Sequence, residues 1–180
     1  MKHLLSLLFL VYFNSLNFNL KACNCADPLP IEESYEKAEI IIRAKIISSE
    51  YVSNADAMDP AKARELRKKL QGDKIRLPQL DTKFIIELKV LVKSVYKGED
   101  LIDTLSIYTT RTPASCGATS LKPGGDYLIY AYIETGAYEF ISPGNRLEKA
   151  GTFWTFKCTR NKAFSEEEAM ALRALKHELK

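Results

Sequence analysis

The stretch Ala22-Cys23-Asn24-Cys25-Ala26-Asp27-Pro28 carries two of the four cysteines of the chain and directly follows an apolar N-terminal segment. The other two cysteines, Cys116 and Cys158, lie far downstream. If an export peptidase cuts before Cys23, the mature chain begins with a cysteine that disulfides can tie to the core. Such a terminus would present its α-amine in a fixed place, and the functional hypothesis below depends on this expectation.

Residues 1–22 have the features of an export signal. A short basic start precedes an apolar run over 4–13, which is too short to cross a bilayer because a spanning helix needs about 20 residues. The segment ends in Leu20-Lys21-Ala22, with the small residue that a signal peptidase requires at the last position. We therefore predict a signal peptide over 1–22 and a single domain over 23–180. The predicted location is extracellular or periplasmic, with no transmembrane segment.

A second interpretation of the same residues stays open. Leu20-Lys21-Ala22-Cys23 approximates a bacterial lipobox, in which the cysteine is acylated and anchors the protein to a membrane. Lys21 and the polar residues Asn17 and Asn19 fit that pattern poorly, because the apolar run of a lipobox signal usually continues up to the cysteine. The sequence therefore favours plain secretion over a membrane-anchored lipoprotein.

Composition and charge exclude several classes of function. The 180 residues are 46% hydrophobic and 27% charged, as in ordinary globular proteins. Removing Lys2 and Lys21 with the signal leaves 24 basic residues against 23 acidic ones, which gives no electrostatic reason to expect nucleic acid as a partner. The chain after residue 22 has one histidine, His177, and contains no Ser-His-Asp set, metal triad or Gly-rich phosphate loop. We expect neither an enzyme nor a cofactor, and no intrinsic metal.

Four cysteines in an exported chain indicate disulfides rather than a metal site. They allow three pairings, of which Cys23 with Cys25 would close a very tight ring. If both N-terminal cysteines instead pair downstream in order, the cross-links join residues 93 and 133 positions apart. Closing loops of that size contributes about 4–5 kcal/mol each in the chain-entropy model.

Alternation of apolar residues and turn signals predict a mainly β domain. Strands are predicted over 39–52, 82–95, 105–110, 126–133, 137–141 and 151–158. Helices are predicted over 31–38, as a surface insertion over about 54–71, and over about 166–179, where Ser165 and Glu168 fit a capping box. Five or six strands of this kind favour a small closed or half-closed barrel.

Several stretches, in this order, resemble the N-terminal domain of the tissue inhibitors of metalloproteinases, which is a netrin-like domain. They are Cys23-Asn24-Cys25-Ala26-Asp27-Pro28, Ile42-Arg43-Ala44-Lys45, Val95-Tyr96-Lys97-Gly98, Ile107-Tyr108-Thr109, Ser115-Cys116-Gly117, Asp126-Tyr127-Leu128-Ile129 and Cys158. The resemblance covers roughly residues 23–160. It implies an OB-type five-stranded barrel, here with an inserted surface helix and a C-terminal helix, in a single-domain, bacterial-type member of the family.

The resemblance also implies the disulfide pairing and a mechanism. Cys23 would pair with Cys116, and Cys25 with Cys158. The α-amine and carbonyl of Cys23 would then chelate the catalytic zinc of a metalloendopeptidase, because such a zinc keeps one coordination position open. An α-amine has a pKa of about 7.7–8.0, so its neutral form is available near neutral pH.

The remaining contact residues follow from the same resemblance. Asn24 would enter the specificity pocket of the protease, and Cys25 and Ala26 would continue the contact. The loop with Ala114, Ser115 and Cys116 would lie alongside and widen the inhibitory ridge.

The chain departs from the family at several points. The third disulfide of the animal inhibitor domain has no counterpart, because Tyr35 and Glu36 stand where a cysteine would fall. The cysteine-rich C-terminal domain is replaced by the helix over 166–179, and Asn24 is more polar than the small hydroxyl residue usual there. An alternative function is therefore a netrin-like surface or envelope binding module without inhibitory activity. Acylation of Cys23 would favour this alternative, because an amide nitrogen has no free lone pair for zinc.

Overall fold

The computed structural model describes residues 25, 29–58, 60–98, 101, 103–133 and 153–178. The strands in this part of the chain are β1 (Ile40–Val52), β2 (Ile85–Lys97), β3 (Thr104–Thr110), β4 (Asp126–Ala131), β5 (Phe153–Trp154) and β6 (Lys162–Ala163). The helices are α1 (Ile31–Lys37), α2 (Pro60–Lys69), α3 (Arg76–Asp81) and α4 (Glu166–Glu178), and a 3-10 turn spans Pro113–Ser115. The predicted signal peptide and the predicted strand over 137–141 lie outside the described residues.

The strands form one six-stranded sheet in the order β5-β3-β2-β1-β4-β6. All neighbours are antiparallel except β3 and β5, which are parallel. The register between β1 and β2 shifts at three places, and such irregularities bend and twist a strand pair. An isolated bridge joins Tyr132, just after β4, to Trp154 in β5. The mainly β class is as predicted, and the six strands in the described residues agree with the five or six that the alternation indicates, whereas the resemblance implies five. Closure into a barrel stays a prediction.

The main core lies on one face of this sheet. In β1 the side chains of Ile42, Ala44 and Ile46 are buried, whereas Arg43 and Lys45 on the other parity are not. The partners of these residues come from β2, β3 and β4, including Leu88, Val90, Ile107 and Ile129. This alternation is the period of two that a strand with one buried face requires.

The insertion between β1 and β2 contains two helices rather than the single surface helix that the sequence predicts. Its apolar side chains form a second core with residues of β3 and β5: Met58, Ala63, Leu66, Leu70, Leu80, Tyr108 and Trp154. The narrow apolar stripe of α2 is therefore buried against the sheet and does not lie free on the surface. We did not predict α3, because it has only six residues and contains Pro78.

The predicted strand over 151–158 is wrong in its extent, because only Phe153–Trp154 forms a strand there among the described residues. The side chain of Thr155 donates a hydrogen bond to the carbonyl of Tyr130, at 2.9 Å. Asn161 then bonds back to Thr155 and to the carbonyl of Phe156, so the chain turns at 156–159 before β6. These side-chain hydrogen bonds replace the strand pairing that would otherwise continue after Trp154. The short strand β6 that follows is not predicted by the sequence.

Helix α4 matches the prediction to within one residue, and Ala169 and Leu172 on its inner face are fully buried. They pack in a third core with Tyr35 of α1, Tyr96 of β2 and Tyr130 of β4. The capping box is only half formed. The Ser165 hydroxyl accepts the Glu168 amide hydrogen at 3.3 Å, but the Glu168 carboxylate is bonded to other side chains, described below. No helix in the described part of the chain is long and apolar enough to cross a membrane.

Candidate functional site

Five of the eight predicted site residues are described: Cys25, Ala114, Ser115, Cys116 and Cys158. The structure brings them to one corner of the domain, where the segment after β5 meets the loop after β3. Cys23, Asn24 and Ala26 lie outside the described residues, so their predicted roles stay predictions.

A disulfide fixes the start of the described chain. Cys25 and Cys158 are bonded, with their Cα atoms 5.1 Å apart and 133 positions between them in the sequence. Cys116 is also disulfide-bonded. Its expected partner, Cys23, lies outside the described residues, and that pairing remains as the resemblance implies it.

The loop after β3 is a rigid turn with an exposed tip. Thr112 and Ser115 form a reciprocal capping box around the 3-10 turn, and Pro113 occupies its first position. Cys116 ends the turn in the left-handed conformation, with φ of 62°. Ala114 and Ser115 are exposed, whereas Cys116 is half-buried. The turn therefore presents two small side chains outward on a backbone held from both ends.

This turn is anchored to β3 and to the segment that carries Cys158. A Cβ added at Gly117 would lie 2.0 Å from the carbonyl oxygen of Thr110, so only glycine fits there. The next amide, of Ala118, donates to the buried hydroxyl of Thr109 at 2.8 Å. The Cys116 carbonyl accepts a hydrogen bond from the Lys157 amide at 2.7 Å. Cys116 and Cys158 are thus neighbours at the same corner.

A second contact, which sequence reasoning missed, holds the chain just after Cys25. The carbonyl of Leu29 accepts hydrogen bonds from the guanidinium of Arg160, at 2.9 Å, and from the Ser34 hydroxyl, at 3.3 Å. Helix α1 follows at once, and its buried Tyr35 donates to the Tyr96 carbonyl at 3.3 Å. The only sequence signal for Arg160 was its position two residues after Cys158.

Arg160 is in turn held by Glu168, a carboxylate whose side chain is only 4% exposed. Glu168 accepts hydrogen bonds from Arg160, from Lys162 at 2.8 Å and from the Tyr130 hydroxyl at 2.7 Å. Burial opposes its ionisation, but the hydrogen bonds from Lys162, Tyr130 and Arg160 outweigh that effect, so the pKa of Glu168 is lowered. Burial, together with the bond to Glu168, raises the pKa of Tyr130. The Glu168 carboxylate is therefore ionised at neutral pH and is held by hydrogen bonds from three side chains.

Beside the exposed turn lies a surface with aromatic and basic side chains. Tyr51 at the end of β1 is 54% exposed, and Phe84 before β2 is 49% exposed. The guanidinium of Arg111, one residue before Thr112, lies 5.0 Å from the ring centre of Tyr51. A cavity of about 210 Å³ opens between Tyr51, Arg111 and the loop over 118–123. Exposed Tyr and Arg side chains of this kind are enriched where proteins bind other proteins.

No group of three or more histidine, cysteine, aspartate or glutamate side chains able to hold a metal ion is found in the described ranges. What the corner offers is a rigid polypeptide ridge. Two cross-linked segments and an exposed turn meet there.

The chain matches the model of a known protein family. A family model described as tissue inhibitor of metalloproteinase matches residues 21–153, well over half of the chain. The match contains the Cys-x-Cys segment, the turn over 112–117 and strands β1 to β4. No curated protein matches the chain as a relative. The chain belongs to the tissue inhibitor of metalloproteinase family.

Proposed function

We propose that the mature protein is a secreted inhibitor of zinc metalloendopeptidases, and that it acts through the α-amine and backbone carbonyl of Cys23. One of these atoms would replace the water at the open position of the target's catalytic zinc, and the other would raise the zinc to five-coordinate. Asn24 would then enter the adjacent specificity pocket, with Cys25, Ala26 and the turn carrying Ala114, Ser115 and Cys116 alongside.

One observation carries this proposal: Cys25 is cross-linked to Cys158 at the corner where Ala114 and Ser115 are exposed. Two residues of chain span at most about 7 Å, so an anchor at Cys25 limits how far Cys23 can move. A terminus held in this way loses little conformational freedom when it binds, and a preorganised group binds more tightly for that reason.

The neighbouring surface supports a protein partner rather than a small ligand. Tyr51, Phe84 and Arg111 stand next to the turn, and buried Tyr and Arg side chains often dominate binding energy at interfaces. The insertion also ends at this surface, since α3 leads into Phe84. Because its helices are packed against the sheet, the insertion would meet a partner as a preformed surface.

The first testable prediction concerns the chain terminus. Mature protein that starts at Cys23 should inhibit at least one member of a panel of zinc endopeptidases at micromolar concentration or below. A matched protein that retains Ala22 should lose inhibition by at least a hundredfold, because its residue 23 carries an amide instead of an amine. Inhibition constants measured side by side check this prediction.

The retained residue changes no described contact, so the two proteins should unfold at the same denaturant concentration. Full protease activity at micromolar mature protein would exclude the inhibitor function. Equal inhibition by both proteins would exclude the role of the α-amine.

The lipobox-like stretch Leu20-Lys21-Ala22-Cys23 supports the alternative of a surface-anchored netrin-like module. The intact mass of the protein purified from its native host separates the two functions. A free Cys23 amine supports the inhibitor, whereas an added diacylglyceryl group and an acylated nitrogen support the anchored module.

A further inference from the structure

We propose that Arg160 is a positioning residue, which sets the direction in which residues 23–29, the N-terminal segment, leave the fold. This inference rests on the proposed function, because it concerns how the segment would be presented to a protease. The observation behind it is that one guanidinium joins the Leu29 carbonyl to the buried Glu168 carboxylate.

The geometry of Arg160 leaves its guanidinium little freedom. Nε donates to Oε1 of Glu168 at 2.9 Å, and Nη2 donates to Oε2 at 3.2 Å. Two bonds to one carboxylate fix both the position and the plane of a guanidinium. The third nitrogen, Nη1, is then aimed at the Leu29 carbonyl oxygen, 2.9 Å away.

Glu168 itself is fixed by the core. Its carboxylate also accepts hydrogen bonds from the Tyr130 hydroxyl and the Lys162 ammonium, and Tyr130 is fully buried. Ala169 and Leu172, on the same helix, are buried in the third core. Helix α4 therefore cannot rotate without unpacking, and the direction of the Arg160 bond follows from the packing of the whole C-terminal helix.

Among the described residues, the N-terminal segment is therefore attached at two points, in addition to the disulfide that the resemblance implies between Cys23 and Cys116. The disulfide joins Cys25 to Cys158, and Arg160, two residues further on, holds Leu29. Disulfides let the attached chain swing about their side-chain bonds, whereas a hydrogen bond to the backbone of Leu29, four residues after Cys25, restricts that motion. Orientation matters for a metal ligand, because the nitrogen must come within about 2.0–2.1 Å of the zinc to coordinate it.

The test compares Arg160→Met with the matched control Lys162→Met in mature protein that starts at Cys23. Each variant removes one cation from the Glu168 carboxylate, but only Arg160→Met removes the bond to Leu29. Two quantities are measured: the inhibition constant for a zinc endopeptidase that the wild type inhibits, and amide hydrogen exchange in the free protein for the N-terminal peptide ending at Tyr35.

We expect Arg160→Met to raise the inhibition constant at least tenfold and to speed exchange of the N-terminal peptide at least tenfold. Lys162→Met should stay within about twofold of the wild type in both. Equal effects of the two variants overturn the proposal, and so does faster exchange with an unchanged inhibition constant.

Arg160→Lys is a second variant, which tests the same proposal if Arg160→Met fails to fold. It keeps a cation beside Glu168, but a single ammonium cannot repeat the fork of a guanidinium that reaches two partners at once. The N-terminal peptide of Arg160→Lys should therefore exchange its amide hydrogens as fast as that of Arg160→Met. Exchange at the wild-type rate in Arg160→Lys overturns the proposal. A wild type that inhibits no zinc endopeptidase refutes the proposed function instead, and the exchange comparison then still decides whether Arg160 holds the segment.

Discussion

Glu168 shows how one residue links the acid stability of the protein to its architecture. Its lowered pKa means that the folded chain binds fewer protons at this carboxyl than the unfolded chain does, in the range below the unfolded value of about 4.3. Its contribution to stability is complete above that value and is lost as the pH falls through the folded-state pKa. Glu168 is thus expected to make the protein sensitive to acid.

Replacing Glu168 with glutamine should lower the free energy of unfolding by about 1–3 kcal/mol at pH 7, because charged hydrogen bonds to Arg160 and Lys162 are lost. The variant should also lose less stability than the wild type between pH 5 and pH 3. Denaturant unfolding across that range measures both effects.

Glu167→Gln is the control, because Glu167 is exposed one position earlier in the same helix. It should follow the wild-type profile. Parallel acid profiles for the wild type and Glu168→Gln would contradict the assignment of acid sensitivity to this carboxyl.

Among the elements, the insertion between β1 and β2 differs most from its prediction. Its helices bury Leu66, Leu70 and Leu80 against Tyr108 and Trp154, which face away from the main core. The ring centres of Tyr108 and Trp154 are 5.5 Å apart, within the range of favourable aromatic pairs. The insertion therefore extends the folded core on the outer face of β3.

Leu66→Ala should destabilise the protein by about 2–4 kcal/mol, because truncating a buried leucine loses apolar burial and leaves a cavity. The matched control is Ile75→Ala, also in the insertion, where the side chain is 71% exposed. The control should change stability by less than about 0.5 kcal/mol. Equilibrium unfolding measures both, and equal small losses would mean that the insertion contributes nothing to the folded core.

At the scale of the whole molecule, the disulfide joins the start of the described chain to the segment that follows β5. Cys25 precedes α1, and Cys158 follows β5, an edge strand that pairs in parallel with β3. The bridge between Tyr132 and Trp154 also brings β5 next to the end of β4. A cross-link over 133 positions therefore restricts the unfolded chain far more than a local one would.

The double variant Cys25→Ser, Cys158→Ser should lose about 2–5 kcal/mol of stability, because the unfolded chain regains the freedom that the long loop closure removes. The shift of the unfolding midpoint in denaturant measures this loss. Mass spectrometry with a thiol reagent serves as the control, since it reports whether the other two cysteines remain oxidised. An unchanged midpoint would contradict a stabilising role for this disulfide.

The sequence was most informative where structure follows from local pattern. Strands β1, β3 and β4 begin within one residue of their predicted starts, because alternation with period two is a property of neighbouring residues. The sequence pattern around Tyr35 indicates only that it stands where the animal inhibitors have a cysteine. In the structure Tyr35 is a buried core residue, and its hydroxyl donates a hydrogen bond to the carbonyl of Tyr96, 61 positions away.

By itself, the sequence determined the mainly β class, the positions of most strands, the C-terminal helix and the cysteine spacing on which the family resemblance depends. The tertiary structure alone decided that α2 is packed on β3, that β5 stops at Trp154, and that Arg160 joins Leu29 to Glu168. The physical reason is the distance along the chain over which each kind of interaction acts. Periodicity and caps act over a few residues, whereas the partner of a buried polar side chain depends on which distant segments the folded chain brings together.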